Sequence, residues 1–109
     1  MVDGAVFAAR RRRLLDLVGD GGAAIFPAAP VRIRNNDVEH AYRQDSDLYY
    51  LTGFEEPHSV LIVTGAHEEH QTVLFVQPRD PAREIWDGPR LGTEGVVREL
   101  GVDAAFPIA

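Results

Sequence analysis

Cysteine and lysine are both absent from the 109 residues. The first absence excludes disulfides, thiolate nucleophiles and cysteine-bound zinc. The second removes the lysine a Walker loop needs, so Gly19-Asp20-Gly21-Gly22 reads as a turn and not as a phosphate cradle. Apolar runs are short. None approaches the roughly 20 residues that cross a bilayer, and no membrane partner is expected. At the start, apolar and alanine residues precede the arginines and Asp3 and Asp16 intervene, the reverse of a secretory leader. A cytoplasmic location is the expectation. No Gly-X-Ser-X-Gly elbow is present either.

What charge there is runs acidic, with 17 Asp and Glu against 11 Arg and a net charge of −6. Such a chain repels a phosphate backbone, which argues against nucleic acid as a partner. Hydrophobic residues make up 45% and charged residues 26%, the composition of an ordinary globular domain. A chain this short builds one modest core.

Helical periodicity covers residues 3–18, with Asp3 as N-cap and Phe7, Leu14, Leu17 and Val18 on one face. The run Arg10-Arg11-Arg12-Arg13 is expected to be a solvated flank whose stems cover apolar surface. A strand begins at Ala23, and Pro27 and Pro30 shorten it or push it to a sheet edge. Ser46 followed by Asp47 predicts a helix start, with Leu48, Tyr50 and Leu51 as the buried face and Thr52-Gly53 as the exit. The apolar runs at 59–63 and 71–76 flank a short polar connection and predict an antiparallel hairpin. After Pro78-Arg79-Asp80-Pro81 comes a connecting segment holding the single tryptophan. A helix then starts at Thr93-Glu94, with Val96, Val97 and Leu100 on its apolar side and Gly101 at its end, before a last strand over 102–108. The order implies an α/β or α+β layer with a mixed sheet.

Two clusters invite a metal reading. His67-Glu68-Glu69-His70 lacks the spacing that sets two histidines at i and i+4 of a helix, so a solvated turn is expected. Asp37, Glu39, Asp45 and Asp47 could offer oxygens to a cation, but they lack the Ca²⁺-loop pattern, and Arg34 and Arg43 sit among them. Capping and ion pairing is the expected use. From these residues alone, the chain is an α/β domain with no recognisable catalytic set.

One long string adds to that reading. Tyr42-Arg43-Gln44-Asp45-Ser46-Asp47, then Tyr50-Leu51-Thr52-Gly53-Phe54 and Glu56-Pro57, closely resembles the N-terminal domain of bacterial Xaa-Pro aminopeptidases, the aminopeptidase P family. Pro78-Arg79-Asp80 and Glu84-Ile85-Trp86-Asp87-Gly88-Pro89-Arg90-Leu91-Gly92 follow in the family's order. The resemblance implies a creatinase-like α/β fold, a mixed sheet with flanking helices, over residues 1–109, incomplete at its C-terminus.

It also implies that no metal is held in this chain. In the family, two divalent ions, usually manganese, sit in a separate pita-bread catalytic domain and activate the water that attacks the carbonyl before a proline. That domain, a homo-oligomer and proline-containing peptides are the partners implied. Among this chain's residues the resemblance singles out Asp37, in a polar network at the site, and Trp86, in the substrate wall. The local alternatives are an ion pair of Asp37 with Arg34 or Arg43, and core packing for Trp86. Two other readings stand beside the aminopeptidase: a prolidase N-terminal domain, and a peptidase-like module that binds proteins without catalysis.

Overall fold

Helix α1 (Gly4–Val18) buries a stripe that begins at Phe7 and continues four residues on at Arg11. Leu14 and Leu15 carry it against the core. Sequence periodicity places Leu17 on this face, but Leu17 is exposed, because the stripe is turned toward Arg11. Arg11 therefore departs from the expected solvated flank: it is 3% exposed and donates Nη1 to Leu51 O and Nη2 to Leu100 O, both at 2.8 Å. Its guanidinium satisfies carbonyls at two helix ends, which is what makes its burial tolerable. Arg10 lies over the Tyr50 ring, 4.1 Å from its centroid, and donates to Tyr50 O. Arg12 and Arg13 are exposed as expected.

The computed structural model describes residues 4–30, 44–66 and 69–108. After α1 come β1 (Ala23–Pro27), α2 (Ser46–Thr52), β2 (Val60–Thr64), β3 (Thr72–Val76), α3 (Pro81–Asp87), α4 (Gly92–Leu100) and β4 (Ala104–Pro107). The sheet order is β1-β2-β3-β4, with β1–β2 and β2–β3 antiparallel and β3–β4 parallel. Proline-terminated β1 takes the edge position expected of it, and the 59–76 hairpin forms. The parallel last strand follows a helical crossover, the connection that a parallel pair requires.

Register decides which residues meet. Leu61 faces Leu74, and Val63 faces Thr72, so these side chains share one surface of the sheet. There Leu61, Val63, Leu74 and Val76 are fully buried with Leu48, Leu51, Phe54, Val96 and Val102. The helices α1, α2 and α4 pack on the strands. The alternate residues Ile25, Ile62 and Phe106 lie on the other surface, where Ile25 is 64% and Phe106 43% exposed.

Local starts differ from expectation by a residue or by a mechanism. The cap of α2 is Asp45, not Ser46: its carboxylate accepts from Asp47 N and Leu48 N, both at 3.1 Å. A carboxylate one position earlier reaches the free N–H groups and suits the helix dipole. Tyr50 is half exposed rather than buried, with the Arg10 guanidinium over its ring. Helix α4 starts at Gly92, not at Thr93, and has no side-chain cap of its own. Of its apolar side, Val96 is buried and Val97 stays 39% exposed.

Buried Gln44 uses its whole amide. Oε1 accepts from Ala29 N and Asp45 N, while Nε2 donates to Phe54 O and Glu56 O. The exit of β1 is thereby tied to both ends of α2.

Candidate functional site

The segment predicted as a connection after β3 holds a helix, α3, that sequence periodicity could not reveal because it buries no apolar stripe. Ile85 is 79% exposed and Trp86 87% exposed. Trp86 therefore does not pack into the core formed by the described residues. The start signal was readable: Asp80 caps the helix through Arg83 N, Pro81 occupies the first turn, and Glu84 returns to accept from Asp80 N at 2.8 Å. This is a reciprocal arrangement like a capping box, one residue longer.

Two carboxylates hold this excursion. Glu84, with a side chain only 9% exposed, accepts from Asp80 N before the helix and from Arg90 N after it, each at 2.8 Å. Arg79 Nε adds contacts of 3.0 and 3.1 Å to its two oxygens. From the loop after α2, Glu56 Oε2 accepts from Leu91 N at 2.9 Å, which supplies the partner that α4 lacks locally. Its other oxygen is buried without a hydrogen-bond partner among the described residues.

The two carboxyls are shifted in opposite directions from the ordinary value. Donation from Arg90 N–H, followed by Arg79 and Asp80, holds Glu84 below the ordinary carboxylate value, against an opposing effect of burial. Burial pushes Glu56 up, and Glu84 adds to this, while Leu91 N–H and Arg90 pull it down. An ionised Glu56 thus costs folded-state stability above its raised value, and the cost vanishes as pH falls to the ordinary 4.5. Glu56→Gln is accordingly expected to raise the thermal midpoint relative to the native chain by more at pH 7 than at pH 4.5. The offset differs between the two because only the native carboxylate changes its charge in that range. Melting curves of both proteins at the two pH values check it, and an equal offset at both would refute the assignment.

Of the two residues singled out from sequence, Trp86 stands on α3, and Asp37 lies outside the described residues. So do Glu39, Arg34, Arg43, His67 and Glu68. Asp45 serves as a cap, as expected for part of the acidic cluster. Glu56 and Glu84 were missed as functional groups; the Asp80-Pro81 start hinted at the second, but nothing local could pair Glu56 with Leu91. Separately, a groove of about 330 Å³ between α1, α2 and β1 is lined by Leu14, Phe26, Tyr50 and Leu51 with Arg10 and Asp47.

The donors among the described residues do not fit a metal pair. Among the described residues, no three His, Asp or Glu converge as ligands. Glu84, Asp45 and Asp103 accept from backbone N–H groups. No chemical step through a metal follows from these side chains.

Helices packed on a four-stranded mixed sheet with one parallel pair define an α/β domain. Residues 7–109 match the family model "Aminopeptidase P, N-terminal domain", and the chain belongs to that family. It is 44% identical over 101 residues to the Xaa-Pro aminopeptidase of Escherichia coli strain K12, covering 92% of this chain and 23% of the relative. Against Xaa-Pro aminopeptidase 3 of Rattus norvegicus it is 37% identical over 114 residues, covering 94% and 22%. The solved aminopeptidase PepP of Pseudomonas aeruginosa superposes with a TM-score of 0.91 at 48% identity, covering 98% of this chain and 24% of that one. The chain thus spans less than a quarter of the length of these relatives.

Proposed function

We propose that this chain is the non-catalytic N-terminal domain of a metal-dependent Xaa-Pro aminopeptidase, an enzyme that removes the first residue from peptides with proline second. On this reading the catalytic domain, with two manganese or similar divalent ions, is polypeptide outside this sequence. The domain supports a cytoplasmic homo-oligomer and shapes the substrate entrance with Trp86 and Asp37.

The observation that carries the proposal is the exposure of Trp86 on a helix that buries none of its apolar residues. A chain that leaves its single large indole in water forgoes the stabilisation of burying it. A flat aromatic surface suits a proline ring or a peptide chain. The names of the relatives agree, since those cited are Xaa-Pro aminopeptidases.

The test is kinetic. In the full-length enzyme, Trp86→Ala is expected to lower kcat/KM on an Xaa-Pro-containing tripeptide by about 3- to 10-fold, the size of one aromatic contact, mainly through KM. Trp86→Phe should recover part of the loss. Unchanged constants for both variants would remove Trp86 from the substrate wall. Cleavage of dipeptides alone would replace the aminopeptidase by a prolidase. Metal-dependent turnover by the purified 109-residue chain would defeat the non-catalytic assignment.

A further inference from the structure

A helix of seven residues with exposed apolar side chains is not stable alone, because nucleation is costly and short helices depend on packing. Helix α3 has no substantial packing contact with any other helix or strand among the described residues. Something else must fix its direction. We propose that Glu84 is a positioning residue: its carboxylate, in place of core packing, sets the direction in which α3 presents Ile85 and Trp86, and Glu56 anchors the far end of the same excursion.

The geometry supports this at both ends. Glu84 sits inside α3, yet its oxygens reach Asp80 N on one side and Arg90 N on the other, so one side chain closes the loop from 80 to 90. Arg79 grips the same carboxylate, and Arg90 Nη1 donates to Pro78 O, which draws the two strands of the excursion together. One residue further on, Leu91 N is held by Glu56, whose own backbone carbonyl is held by buried Gln44. The chain of contacts therefore runs from the core through Gln44 and Glu56 to the exit of α3, and through Glu84 back to its entry. Charge-assisted bonds to backbone N–H are short and directional, which suits them to orienting a segment that the core does not touch. The charged groups facing the pair are Arg79 toward Glu84, and Arg90 and Glu84 toward Glu56.

The functional consequence rests on the reading of Trp86 given above, whereas the clamp itself does not. Because Trp86 is the single tryptophan, its fluorescence reports α3 without interference. Time-resolved anisotropy should show local motion of the indole in Glu84→Gln, with at least a twofold larger fast component than in the native chain. The far-UV circular dichroism melt should stay within a few degrees. Asp80 N and Arg90 N donate to different oxygens of the carboxylate, so in Gln one of them faces an amide NH₂ group instead of an acceptor. Arg83→Ala, on the same helix with its side chain outside the network, should match the native chain. If Glu84→Gln does not fold, Glu84→Asp, one methylene too short to bridge both donors, takes the same readout.

Native anisotropy in the folded Glu84 variant overturns the clamp, as does indole motion that appears only as the whole domain melts. In the full-length enzyme, Glu84→Gln should raise KM in the same direction as Trp86→Ala, and the double variant should be no worse than Trp86→Ala alone. Additive losses would show that Glu84 does not act through Trp86. If Trp86→Ala leaves KM unchanged while the anisotropy of Glu84→Gln rises, the clamp stands and the substrate-wall reading fails.

Discussion

Arg11→Ala is expected to lower the thermal midpoint of the domain by more than about 10 °C. The side chain is 3% exposed, and its two terminal nitrogens reach the carbonyls of Leu51, in the last turn of α2, and Leu100, the last residue of α4. Burial lowers the guanidinium pKa, with Asp103 acting the other way, but arginine stays charged at any accessible pH. Each hydrogen bond to a charged group contributes about 1.5–3 kcal/mol, and losing the donor leaves two buried carbonyls unsatisfied. Against that stands the relief of no longer burying a charge, so the net loss is about 2–4 kcal/mol. At about 4–8 °C per kcal/mol for a domain of this length, the shift is large. Arg11→Lys should recover less than half of it, since an ammonium is a point charge and cannot bridge two carbonyls as a planar fork does. Melting by circular dichroism measures both variants; a loss under about 3 °C for the alanine variant would mean that the fork does not join the three helices.

Gly53→Ala should destabilise the domain by a similar amount for an unrelated reason. Gly53 ends α2 in the left-handed region at φ 73° and donates its N–H to Tyr49 O. An L-residue there costs about 1–2 kcal/mol. A methyl group would also stand 2.7 and 2.8 Å from two carbons of the Phe7 ring, which is buried beneath the turn. Overpacking of that kind adds about 1–3 kcal/mol. The total, about 2–5 kcal/mol, can be separated by a cycle with Phe7→Leu, which removes the clash but not the backbone strain. The double variant should lose less than the sum of the single losses. Strict additivity would place the whole effect in the backbone.

These two residues also show where the sequence was legible and where it was not. Glycine after Thr52 was readable as an exit from α2, because the helix pattern stopped there. Arginine at position 11 was not readable as buried: its type argues for solvent, and its partners lie 40 and 89 residues away. The hairpin and the four-stranded order of elements followed from continuous apolar runs, which carry their own signal. Helix α3 was hidden because its apolar residues face water, and period-based reasoning detects only buried stripes. Likewise, α4 draws its cap from Glu56, 35 residues upstream, so its start could be placed only approximately. Trp86 was singled out through resemblance, while the residues themselves left core and surface equally open. Ser46 and Asp45 are adjacent, and choosing between them needed the backbone.

Both outer strands finish on an imino acid, β1 at Pro27 and β4 at Pro107. Each proline removes one amide proton from its strand, at the strand's last residue. Among the described residues, the apolar surface that the sheet leaves in water is the face carrying Ile25 and Phe106.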